Sequence, residues 1–153
     1  TMLCGGDVGA FEAQRSLLNA VAANVTHLGP LGAGMVGKLA NNLILGVGRL
    51  AIAEAFAMAQ KAGLSTEKLY QSMITCTADS KQLRGLEGVI VRGEYPSRTF
   101  LGLKDLSAAV DSGAAVGQSM PVTGLVRELY RLIDDKSGGL EGSDEVMRFL
   151  LDN

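Results

Sequence analysis

Val25-Thr26-His27-Leu28-Gly29-Pro30-Leu31-Gly32-Ala33-Gly34-Met35-Val36-Gly37-Lys38-Leu39-Ala40-Asn41-Asn42 is where the chain changes character. Val25–Leu28 is β-branched at its start and closed by Gly29-Pro30, so it reads as a short strand. Before it, Thr1–Gly6 is short, apolar and closed by a Gly-Gly-Asp turn signal, which suits another strand end. Ala10–Ala23 carries Phe11, Leu17, Leu18, Val21 and Ala22 at helical spacing. Residues 1–29 therefore read as one strand–helix–strand unit. Two short strands make a marginal sheet, so the unit looks like the trailing edge of a larger one.

From Leu31 onward the pattern is helical throughout. A long helix is expected from about Gly34 to Ala62, with Gly63 as its terminating glycine. Met35, Val36, Leu39, Leu43, Ile44, Leu45, Val47, Leu50, Ile52, Phe56 and Met58 nearly encircle it, which predicts burial on most sides. Asn41, Asn42, Arg49 and Glu54 interrupt the apolar run, so it reads as a core helix rather than a membrane span. Further helices are expected from Ser65-Thr66 to about Ile74, over 81–91, over 101–117, from Pro121 to about Asp135, and over 144–151 after Ser143. Pro121 suits a first helical turn. The expected architecture is mainly α: a helical bundle around one long buried helix over 30–153, with a short N-terminal αβ unit over 1–29.

Composition narrows the function. The 153 residues are 47% apolar, enough for a core, and 14 Lys+Arg against 16 Asp+Glu leave a net charge of -2. That balance gives no basic footprint for nucleic acid. Only 20% of residues are charged, below the roughly 25% of typical domains; part of the surface is expected to lie against another domain or subunit. Cys4 and Cys76 are too far apart in sequence for a metal knuckle or a disulfide framework, and a reduced, cytoplasmic setting is the simpler reading. The single histidine, His27, excludes a multi-histidine metal site, and no metal is expected. Thr1 stands ahead of Met2, so the chain reads as a cut piece of something longer.

Two stretches can carry chemistry. Glycines 29, 32 and 34 lead into the long helix, and Lys38 and Asn42 lie one turn apart on one face of it. A lysine buried in an apolar helix loses hydration of its charged form, which pushes its pKa down and suits it to proton transfer. Asn42 offers both donor and acceptor to a hydroxyl or carboxylate. Spacing alone also allows the plainer alternative, in which Lys38 reaches solvent and the glycines only turn the chain. The second stretch is Phe100–Asp111, with Lys104 and Asp105 near a helix start. Asp105 favours the helix dipole there; Lys104 does not, which suggests a phosphate partner. An ordinary solvated face is the alternative.

Gly29-x-x-Gly32-x-Gly34-x-x-x-Lys38-x-x-x-Asn42 resembles the catalytic signature of the β-hydroxyacid dehydrogenases, the family of 3-hydroxyisobutyrate dehydrogenase, tartronate semialdehyde reductase and, more distantly, 6-phosphogluconate dehydrogenase. Lys104-Asp105-Leu106-x-x-Ala109-x-Asp111 resembles its cofactor-side signature, with Ser107 where glycine is usual. Met2-Leu3-x-Gly5-Gly6-Asp7 and Phe11-Glu12 resemble the stretch just before the catalytic glycines. The resemblance implies an NAD- or NADP-dependent oxidoreductase acting on a small β-hydroxyacid. It makes Lys38 the catalytic proton carrier and Asn42, with Gly32 and Gly34, substrate-binding. Lys104 and Phe100 fall on the cofactor side. It also implies that 1–29 is the αβ remnant of a dinucleotide-binding domain and 30–153 a C-terminal substrate and dimerisation domain, expected as a homodimer or higher homo-oligomer without nucleic-acid or membrane partners. The cofactor's main binding domain and a Ser-Gly-Gly substrate motif are expected before Thr1, so the chain alone is not expected to turn over. The alternative is a non-catalytic helical dimerisation or interaction module that keeps the dehydrogenase-like fold.

Overall fold

The computed structural model describes residues 1–95, 102–137 and 143–152. Its elements in chain order are β1 (Met2–Cys4), α1 (Val8–Val21), β2 (Val25–His27), α2 (Ala33–Lys61), α3 (Thr66–Met73), α4 (Lys81–Gly85), α5 (Glu87–Arg92), α6 (Gly102–Ala115), α7 (Pro121–Ser137) and α8 (Ser143–Leu151). The molecule is mostly helical, with one two-stranded parallel sheet in which Met2 pairs with Val25, Leu3 with Thr26 and Cys4 with His27. It divides into two compact units, 1–42 and 43–153. The division falls inside α2.

Packing within the first unit explains that division. Asp7 caps α1, its Oδ1 accepting from the Ala10 amide at 2.8 Å, and Phe11 is buried. The Leu28 amide donates to the Cys4 carbonyl and the Gly6 amide to the Gly29 carbonyl, at 2.8 and 2.9 Å. The start of α2 then lies directly on the end of β1. A β-carbon at Gly34 would sit 2.5 Å from the Leu3 carbonyl oxygen, and one at Gly5 would sit 2.7 Å from the Pro30 carbonyl oxygen. Backbone meets backbone, so the first turns of α2 belong with the sheet. The apolar face expected on α1 is only partly used: Phe11 is buried, but Leu17 and Val21 are exposed, because they lie on a stripe beside the one that carries Phe11 and Leu18.

The second unit has two apolar clusters. Ala53, Phe56, Tyr70, Leu83, Leu86, Val89, Ile90 and Met147 form one. Leu50, Leu106, Val126, Tyr130 and Ile133 form the other. The single helix expected over 81–91 is two, α4 and α5, hinged at Leu86 with φ -99° and ψ 4°. Leu83, Leu86 and Val89 are three residues apart, and tightening the chain locally keeps all three on one buried face. Ser65 and Ser80 cap α3 and α4, and Gly63 ends α2 with φ +79°.

The expectation of a helix buried on most sides does not hold for α2 in this chain. Met35, Val36, Ile44 and Met58 are 62–71% exposed. The other helices are at most 17 residues long and cover only part of a 29-residue rod. Two of its glycines are notches filled from within the chain: a β-carbon at Gly46 would press on Leu106, and one at Gly48 on the Gln82 side chain. Gln82 Nε2 also donates to the Leu45 carbonyl.

Two predictions follow from these packing details. Gly34→Ala forces a methyl group into the β1 backbone and should destabilise the protein by at least the roughly 1–3 kcal/mol of core overpacking. Gly124→Ala, inside α7 with open space around the added carbon, should stabilise by about 0.5–1 kcal/mol. Urea unfolding of the two variants should move in opposite directions.

The other concerns the α3–α4 loop, where Arg84 binds both carboxylate oxygens of Asp79 at 2.8 and 2.9 Å and the Ile74 carbonyl at 3.1 Å. The Arg84 hydrogen bonds hold the Asp79 carboxyl below its ordinary value. A lowered carboxyl contributes stability above its unfolded pKa and loses it as pH falls through the folded one. The melting-temperature deficit of Asp79→Asn should therefore be present at pH 7 and shrink as the pH falls below about 4, where the unfolded carboxyl protonates. It should be small, since the pair is exposed.

Candidate functional site

The glycine turn and the first turns of α2 bring Lys38 and Asn42 together. Lys38 Nζ donates to Asn42 Oδ1 at 2.8 Å, and Asn41 Nδ2 donates to the same oxygen at 3.1 Å. Asn42 is 5% exposed. The four-residue spacing thus produces a contact as well as a shared face. Two donors converging on one amide oxygen fix how the Asn42 side chain is turned, and Asn42 in turn fixes the lysine head. Asn41 was not singled out in the sequence; its adjacency to Asn42 was the signal.

Lys38 itself is exposed. The desolvation expected of an apolar helix is not supplied to it by the described residues of this chain. The two glycines differ in what they do. Gly34 gives up its side chain to the β1 backbone, so that side of it is filled by protein. Gly32 has φ +96° and no atom within 4 Å of where a β-carbon would stand, which leaves open space at the turn. Gly29, with φ +138°, completes the turn.

The second unit holds the other named residues. Lys104 is exposed in the first turn of α6, with half-buried Asp105 beside it. An exposed ammonium there is able to meet an anionic phosphate. Phe100 lies outside the described residues. A cavity of about 460 Å³ between the end of α6 and the start of α7 is lined by Val110, Ala114, Gly117, Gln118, Ser119, Met120 and Pro121; no ionisable side chain faces it, so it offers nothing to proton transfer. Among the described residues no three His, Cys, Asp or Glu side chains gather to hold a metal ion.

Comparison with known proteins finds relatives named as 3-hydroxyisobutyrate and L-serine dehydrogenases. A family model described as NAD-binding of NADP-dependent 3-hydroxyisobutyrate dehydrogenase matches residues 32–150, and the chain belongs to that family. It is 31% identical over its whole length to a probable mitochondrial 3-hydroxyisobutyrate dehydrogenase of Dictyostelium discoideum, of which it covers 50%. Over 99% of its length it is 33% identical to an NAD-dependent L-serine dehydrogenase of Pseudomonas aeruginosa, covering 54% of that protein. A solved structure of Mycobacterium tuberculosis 3-hydroxyisobutyrate dehydrogenase with L-serine superposes with a TM-score of 0.81 at 28% identity, over 95% of this chain and 53% of that one. The chain spans about half the length of these relatives. NAD or NADP is the cofactor of the family. Its description attaches NAD binding to residues 32–150.

Proposed function

We propose that this chain provides the proton-transfer half of an NAD(P)-dependent dehydrogenase that interconverts a small β-hydroxyacid and its semialdehyde or keto form. The observation that carries the reading is the Lys38–Asn42 pair, closed at 2.8 Å, inside the stretch that the family model matches. 3-Hydroxyisobutyrate and L-serine, which appear in the names of the relatives, share a hydroxyl β to a carboxylate, and that pattern defines the substrate class.

In this reading Lys38 takes the proton of the substrate hydroxyl as the neutral amine and returns it to the carbonyl oxygen as the ammonium. Asn42 holds the lysine head with its Oδ1, and its amide N–H donors suit the substrate hydroxyl or carboxylate. The open space at Gly32 admits the substrate close to the backbone, while Gly34 serves packing. Lys104 fits the cofactor side, as an exposed cation at the positive end of a 14-residue helix. Bound nicotinamide supplies the hydride acceptor or donor.

In the natural protein that contains this chain, assayed with 3-hydroxyisobutyrate or L-serine and either cofactor, Lys38→Ala should lower kcat by ~10²–10⁴-fold with the fold intact. Asn42→Ala should lower kcat and raise the substrate KM together, because it loosens both the lysine and the substrate. A Lys38→Ala enzyme within a few-fold of wild type would show that the proton travels elsewhere.

We propose in addition that the chain associates with a second copy through the uncovered stripe of α2, in which Val36, Ile44 and Met58 stand exposed. Extended apolar surface of this kind is uncommon on a monomer, and a two-fold dimer is the commonest closed solution. Light scattering at micromolar concentration should give a mass about twice 15.9 kDa; a clean monomer would overturn the association.

A further inference from the structure

His27, the single histidine, takes no part in the proton transfer described above, yet it sits at the junction on which the site is built. It is the last residue of β2, and its ring lies against buried Phe11 with centroids 4.9 Å apart. The Arg15 guanidinium stands 5.0 Å from the Phe11 ring centre and is paired to Glu12 at 2.6 Å. The ring is thus held in place, and its Nε2 lies 2.9 Å from the Gly6 carbonyl oxygen. A carbonyl oxygen can only accept, so the ring carries its proton on Nε2 and donates it there.

Gly6 is the point of leverage. Its amide donates to the Gly29 carbonyl, the first glycine of the turn that leads into α2. Its neighbour Gly5 abuts the Pro30 carbonyl and the amides of Ala33 and Gly34. One turn beyond Gly34, on nearly the same helix face, stands Lys38. The β1–α1 turn is therefore the surface against which the start of α2 is set, and two glycines in succession give it little stiffness of its own.

We propose that His27 is a positioning residue for the Lys38 site: by holding the Gly6 carbonyl it fixes the glycine turn from which α2 springs, and so the place of the lysine head. The inference rests on the reading of Lys38 as the proton carrier. Misplacing a reacting group by about 1 Å can cost 10²-fold in rate, so a loosened turn shows in kcat before it shows in binding.

The two functions of the ring, packing and donating, separate by substitution. His27→Phe keeps a ring against Phe11 and loses the donor. His27→Gln keeps an N–H at about the reach of Nε2 and loses the ring. In the natural protein, with 3-hydroxyisobutyrate or L-serine as substrate, His27→Phe should lower kcat by roughly ten- to a hundredfold with KM changed less than about threefold, and His27→Gln should stay within about threefold of wild type in kcat. Should His27→Phe not fold, His27→Asn, whose shorter amide falls short of Gly6, takes its place with the same expectation. Added to Lys38→Ala, the His27 substitution should cost nothing further, since the group it places is gone. Equal losses in the Gln and Phe variants, or an additional loss in the double variant equal to that of the single, would refute the positioning role. If Lys38→Ala alone leaves the rate unchanged, the reading of Lys38 fails instead, and the two failures are told apart.

Discussion

The structure of the site depends on one contact made without side chains. The start of α2 rests on the end of β1 at Gly34 and Gly5, where backbone atoms approach to distances that no β-carbon permits. A helix placed this way has its position set by the sheet rather than by the yield of a soft apolar interface. Lys38 and Asn42 follow within two turns, so their placement is inherited from the sheet. The same contact explains why the compact unit ends at Asn42, inside a helix that continues for nineteen residues more.

Much of this was legible in the sequence, because the signals were local. The strands, the helical remainder, the terminating Gly63 and the capping Ser65 each follow from a few neighbouring residues. The Lys38–Asn42 spacing specified a shared face, and the structure adds the hydrogen bond. What was not legible depends on what lies opposite. The sequence showed that Gly34 lacks a side chain, but not whether substrate or backbone fills the gap; it is the β1 backbone. The same holds for Gly46 and Gly48, which receive Leu106 and Gln82 in the structure. Leu86 was hidden for another reason: a three-residue spacing of leucines passes for a 3.6-residue one over so short a helix.

The exposure of α2 bears on how the lysine can work. An apolar sequence around a lysine suggests desolvation, but desolvation is a property of the covered state. Met35 and Val36 precede Lys38 and Ile44 follows it, all exposed in this chain. These apolar neighbours in sequence are themselves uncovered. At 100° per residue, Val36, Ile44 and Met58 lie on the side of α2 opposite Lys38, so a surface laid over that stripe leaves the lysine head uncovered.

A lysine on an exposed helix has four rotatable side-chain bonds and loses about 2 kcal/mol of rotamer entropy when fixed. A neutral amide oxygen is a modest anchor for it, since a hydrogen bond involving a charged group nets about 1.5–3 kcal/mol. The two are of similar size, so the Lys38–Asn42 contact alone is close to balance. What tips it is that Asn42 does not itself have to be ordered: it is buried, and Asn41 donates to the same oxygen. The Asn41-Asn42 pair therefore acts as a preformed acceptor, and the turn that places α2 supplies the rest of the constraint.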